Sequence, residues 1–316
     1  MPDLRGWSSV KEKTEKLDMR VADRFFRLFR LAFWRAFEHD AFGVAKGAAY
    51  SSILTMFPAL MLTAAILASF SQTTTIQQIA ALVAKILPPG SSATTEAYFK
   101  TATDQPVQVL VAASLITLWT ASGVMISWME GFRNAYRFPK VWGVVKERLI
   151  AFGLVIMAGI PLTFATVLVA FGSQIEARMA GRITQELGHE IEPYILILWT
   201  VIRWLIAGLT GVSVMSLIYH HAVPRTQRWH SVLPGSALAT ALWFPATAVF
   251  GAYVRHFAQY SLFYGSLATA IVLLVWMYII SVIVLVGAEF NALLFPRALV
   301  ETSTGIPVVN QPVGTR

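Results

Sequence analysis

The chain has no cysteine and little charge: 13% of its 316 residues are Asp, Glu, Lys or Arg. Without cysteine there is no disulfide framework and no thiolate metal site. Ordinary soluble domains carry about 25% charge and roughly 45–50% apolar residues. Here the apolar share is 56%, more than a soluble domain of this size can hide. The opening residues 1–40 are crowded with charge and lack a short apolar core followed by a cleavage site, so no signal peptide is expected.

What is present in its place is long apolar runs. Six reach the ~20 residues that span a bilayer as a helix: 47–70, 107–129, 149–172, 194–219, 232–254 and 266–295. None alternates as a strand does, and lipid-embedded backbone must satisfy its own hydrogen bonds. The sequence therefore predicts an all-α, polytopic bundle of six transmembrane helices over 42–297. A cytoplasmic segment, 1–41, precedes it, and a disordered cytoplasmic tail, 298–316, follows.

Lys and Arg set the orientation. Nineteen fall in segments on the side of the two termini; Lys85, Lys100, Arg178, Arg182 and Arg255 fall on the other. This places both ends in the cytoplasm and accounts for the net charge of +8 without nucleic acid, which is not expected as a partner.

Three further pieces read as helices outside the spans. Residues 20–37 interleave Arg24, Arg27, Arg30 and Arg35 with Phe25, Phe29, Phe33 and Trp34. Such a basic, aromatic helix suits an anionic inner leaflet; the alternative is a helix packed on the protein's own cytoplasmic face. On the outer side, 75–87 carries Ile76, Ile79, Val83 and Ile86 on one stripe, and 173–192 carries Ile175, Met179, Ile183 and Leu187 every fourth residue. Both are expected to cap the outer mouth.

No catalytic constellation is found. The six histidines are scattered or, at 220 and 221, adjacent and so directed to different sides of a helix. No metalloprotease, nucleophile-elbow or phosphate-loop motif occurs. No cofactor, metal or enzymatic activity is expected.

The candidate site residues are instead polar groups at membrane depth. Arg203 sits near the tenth position of the fourth span; an arginine there costs at least ~2.5 kcal/mol on insertion scales and should face the bundle or water. It reads as an anion-attracting group or as a structural ion pair. Glu289, about two turns from the inner end of the sixth span, reads as a proton or cation site or as a partner for Arg133 or Lys46. Tyr50, Arg133, Asn134, Glu289 and Asn291 together read as an inner polar gate. Pro58, Pro161 and Pro245 interrupt spans and free the carbonyls of Leu54, Met157 and Ala241, as static kinks or as functional breaks. Gly153, Gly159, Ala207, Gly211, Gly235 and Ala239 are small residues suited to close helix packing. Thr120, Ser127, Glu130 and Asn134 are consistent with a polar lining or with ordinary interhelical bonds.

Several segments resemble one known family. Lys46-Gly-Ala-Ala-Tyr-Ser-Ser-Ile-Leu-Thr-Met-Phe-Pro58 resembles the first-span signature of the YihY/BrkB family of bacterial inner-membrane proteins. Gly131-Phe-Arg-Asn-Ala-Tyr136, His221-Ala-Val-Pro224, Pro234-Gly235, Trp243, Tyr260, Tyr264-Gly-Ser266, Trp276-Met-Tyr278 and Gly287-Ala-Glu-Phe-Asn291 follow in that family's order and spacing. The resemblance covers about residues 20–297. It implies six spans in a bacterial inner membrane and links to virulence, serum resistance and envelope lipid processes, with a transport role suspected. The family's older label, ribonuclease BN, looks like a misassignment; nothing in these residues supports a nuclease. The leading expectation is a transporter or lipid/anion-handling permease, and the alternative a non-transporting envelope scaffold. A homo-oligomer is compatible with either.

Overall fold

The computed structural model describes residues 23–70, 107–187, 192–224, 228–257 and 261–296, and every regular element among them is an α-helix. Helix α1 covers residues 23–38. It is followed by α2 (Ala41–Phe70), α3 (Val107–Tyr136), α4 (Val144–Leu187), α5 (Glu192–His221), α6 (Trp229–Phe257) and α7 (Ser261–Leu294). Among the described residues, α3 to α7 each contain a stretch long and apolar enough to cross a membrane. Several hydroxyls are satisfied within their own helix: Thr55, Thr117, Ser236, Thr247 and Ser281 each donate to the carbonyl four residues earlier, so these five carry no unsatisfied donor into lipid.

Two helix ends are closed by residues in the left-handed region. Arg137 (φ 53°) ends α3, and Phe138 N donates to Arg133 O at 2.9 Å, the six-to-one bond of a Schellman cap. Asp40 (φ 57°) turns the chain from α1 into α2, and Val44 N donates to its carbonyl at 3.1 Å.

Helices α2 to α7 close into a ring in chain order, with α7 returning to α2 and α3 also touching α7. The buried core sits at one end of that ring. It is made by Ala32 and Ala36 of α1, Ala45 and Ala48 of α2, Met129 and Phe132 of α3, Leu154 of α4, Ile218 and Tyr219 of α5, Val232 of α6 and Leu285 of α7. Packing loosens with distance from this end: no residue in 53–62, 197–210 or 241–254 is buried.

The structure differs from sequence expectation in two places, the segment 173–187 and the glycines 153 and 159. Residues 173–187 are not a separate helix but the continuation of α4, which runs unbroken for 44 residues. Helices α2, α4 and α6 continue through Pro58, Pro161 and Pro245, which is compatible with the static-kink reading of these prolines. Gly153 and Gly159 face open space, where an added methyl would meet nothing within 4 Å, so they mediate no close packing among the described residues. The expected helix at 75–87 and the tail from 298 lie outside the described residues.

Candidate functional site

The packed end of the bundle carries a layer of polar groups, and Glu289 is its deepest acid. It lies on α7 with its side chain 2% exposed. Its Oε1 is 2.7 Å from Nδ1 of His39, in the α1–α2 turn. Arg35 and Arg137 lie within electrostatic reach of the same carboxylate. Asn134 on α3 donates from Nδ2 to the His39 carbonyl at 3.4 Å. One acid thus draws together the end of α1, the end of α3 and α7. Its second oxygen, Oε2, is buried and accepts no hydrogen bond among the described residues. The expected partners, Arg133 and Lys46, are not the ones used: Lys46 is exposed, and Arg133 turns to another acid.

That acid is Glu147, in the first turn of α4. It forms a buried ion pair with Arg133, and Lys140 Nζ approaches its other oxygen at 3.4 Å. One residue on, Arg148 donates to Ser122 Oγ at 2.8 Å and lies over the Trp119 ring at 4.4 Å. These contacts join α3 to α4.

Asn291 joins α7 to α6. Its Oδ1 accepts from Gly235 N at 2.6 Å and its Nδ2 donates to Val232 O at 3.0 Å, so both ends of the amide clamp α6 backbone. The clamp works because two glycines let the helices touch. A methyl on Gly235 would come within 2.1 Å of the Gly287 carbonyl; one on Gly287 would come within 2.5 Å of the Tyr219 hydroxyl. Tyr219 donates to Val284 O at 2.6 Å, tying α5 into the same contact.

The remaining candidates are placed separately. Tyr50 is 62% exposed, away from the face of α2 that buries Ala45, Ala48 and Ala49. Thr120 and Ser127 bond to their own helix, at Ile116 and Gly123, and Glu130 is exposed. His220 stacks on Trp229 (4.2 Å, 9° between planes), and His221 bonds Leu217 O at 3.0 Å. Among the described residues no three His, Asp or Glu side chains converge. Arg203 is half-buried. The spacing 203, 207, 210, 214, 218 puts it on the stripe of α5 that ends in the core residues Val214 and Ile218. At 1.5 Å per residue it lies about 27 Å along α5 from the packed end.

His39, Glu147, Tyr219 and Gly287 were not predicted as site residues. Only Glu147 had a usable signal, an acid beside a cationic connection. His39 is 250 residues from Glu289, and no local pattern links them.

A profile described as virulence factor BrkB matches residues 32–307. The chain belongs to the virulence factor BrkB family. This BrkB-family chain is 26% identical over 260 residues to the ribonuclease-like protein YfkH of Bacillus subtilis, covering 82% of the chain and 92% of YfkH. It is 28% identical over 262 residues to a UPF0761 membrane protein of Vibrio vulnificus, covering 82% and 80%. A UPF0761 membrane protein of Chlorobium phaeobacteroides is 28% identical over 281 residues; the match takes in 88% of the chain but 60% of that longer protein. No solved structure matches the chain. The family and the apolar helices make this a multi-pass membrane protein.

Proposed function

We propose that this protein is a permease for an anionic solute or lipid head group, working in the cell envelope. In this reading α2 joins α3–α7 as a sixth span, the membrane is the bacterial inner membrane, and both termini are cytoplasmic. The observation that carries it is the position of Arg203. It lies on the inward stripe of α5, where the described residues of α2, α5 and α6 are no longer close-packed. A cation held inside a loosened bundle attracts anions strongly, because low surrounding dielectric magnifies its field. The polar layer at the other end supports the role of a closed inner gate. Arg133, Asn134, Glu289 and Asn291 are its members, with Tyr50 at its lipid-facing edge. Pro58, Pro161 and Pro245 are the points at which the spans would bend.

The test is flux in proteoliposomes for wild type and Arg203→Gln across a panel of inorganic anions, carboxylates and lipid analogues. A fall of tenfold or more for at least one wild-type substrate is expected, equivalent to about 1.4 kcal/mol. If a folded Arg203→Gln protein carries every substrate at the wild-type rate, Arg203 has no part in transport.

A non-transporting scaffold for envelope assembly or virulence is the second reading. It is supported by the polar groups themselves, since Arg133 and Glu147 are closed on each other and Asn291 on backbone. A wild-type protein that carries no member of the panel would favour it. The described residues offer nothing on which to build a nuclease step, despite the ribonuclease-like name of YfkH.

A further inference from the structure

Helix α1 has two unlike faces. Ala32 and Ala36 are fully buried, and Leu28 and Phe29 pack against the core with them, so this stripe docks α1 on the end of the bundle. Arg35 is half-buried beside Glu289 and belongs to the docked side. The other face carries Phe26 (65% exposed), Phe33 (48%), Trp34 (61%) and Phe37 (66%). At 100° per residue, Phe26, Phe33 and Phe37 fall within about 40° of one another. Arg30, Trp34 and Arg27 follow beside it, at about 40°, 80° and 100° from Phe26, and Arg24 lies farther round at about 160°; all three arginines are exposed.

Only His39 and Asp40 separate α1 from α2. The Phe33 and Phe37 rings lie 5.7 and 5.9 Å from Phe42, in the first turn of α2. If α2 enters the bilayer, the aromatic stripe is held at the depth where it enters. Large exposed aromatic side chains gathered in one patch mark an interaction surface. A phenylalanine stripe flanked by arginines is the pattern of a helix lying in a headgroup layer. A second copy of α1 suits it less well, because two such faces would bring six guanidinium groups together.

We propose that the outer face of α1 is a binding surface for anionic phospholipid. Phe26, Phe33 and Phe37 dip below the phosphates of the leaflet, and Arg24, Arg27 and Arg30 pair with the head groups. This requires α2 to span but not that the bundle transports anything.

The absence of native cysteine lets one nitroxide be placed per molecule in the full-length protein. Phe26→Cys, Phe33→Cys, Phe37→Cys, Arg24→Cys, Arg27→Cys and Arg30→Cys would be labelled in nanodiscs of phosphatidylcholine with phosphatidylglycerol. Relaxation by oxygen and by a water-soluble nickel chelate reads depth. Oxygen should dominate at 26, 33 and 37, and the chelate at 24, 27 and 30. Phosphatidylglycerol should be enriched around the protein about twofold over phosphatidylcholine, and the enrichment should be lost in the Arg24→Gln, Arg27→Gln, Arg30→Gln triple variant. Leu274→Cys, on an exposed part of α7, checks that the triple variant remains folded; if it does not, Arg27→Gln and Arg30→Gln alone should each lower the enrichment. Chelate-dominated relaxation at 26, 33 and 37 would overturn the proposal. So would exclusion of both reagents with dipolar broadening between copies, or enrichment that the folded variants leave unchanged.

Discussion

Gly235 and Gly287 set how closely α6 and α7 approach, and neither has room for a methyl group. Alanine at either position must push apart two backbones that Asn291 stitches together, and overpacking of this kind costs about 1–3 kcal/mol. Gly235→Ala and Gly287→Ala should therefore lower the melting temperature in detergent by several degrees. Gly153→Ala and Gly208→Ala, where nothing lies within 4 Å, should leave it unchanged or raise it, since alanine is the better helix former. His39 and Glu289 make a second residue-scale case. His39→Ala leaves a buried carboxylate with neither oxygen bonded to a side chain of the turn, at a cost of about 1–3 kcal/mol. Adding Glu289→Gln removes the charge, so the double variant should melt above His39→Ala alone. A double variant that melts lower by the sum of the single effects would show that the two side chains do not interact.

Helices here run through residues that commonly end them. The fall in hydropathy after Gly172 suggested that α4 stops, yet hydropathy reports the solvent a segment prefers and not whether its backbone is helical. Nothing at 172–174 forbids a helix, since an interior glycine costs only about 1 kcal/mol. The fourfold repeat of Ile175, Met179, Ile183 and Leu187 continues the same helix. Pro245 is exposed on α6 and removes one backbone bond, from the carbonyl of Ala241. Pro245→Ala should accordingly hold or raise the melting temperature. A loss of flux in that more stable protein would assign the proline to motion rather than to structure. For α1, sequence established the mix of arginine and aromatic side chains but left open whether it faced lipid or protein. The structure adds that it is divided between a stripe packed on the bundle and a stripe left outside.

Across the whole molecule, packing is uneven. Six helices form a ring, and its buried residues gather at the end where α1 docks. On the transport reading proposed above, a bundle closed at this end and loosened along α2, α5 and α6 would be one state of an alternating-access protein, with Arg203 in the loosened part. The six-span reading carries a test of its own. Reporter fusions at the N-terminus, at the C-terminus and in the α3–α4 connection at Lys140 should all report cytoplasm. A reporter that finds the two ends on opposite sides would require an odd number of spans.

Sequence alone determined the solvent and the element type. Apolar length and the bias of Lys and Arg are local, additive properties, and they read as membrane helices whatever the helices touch. It also carried the family, through short motifs in order. Only the tertiary structure decided the partners. Which side chain meets Glu289, which acid meets Arg133, and which glycines bear a contact depend on residues brought together from as far as 250 positions apart. Apolar periodicity carries no record of such distances, because the same stripe can face any neighbour whose surface fits it.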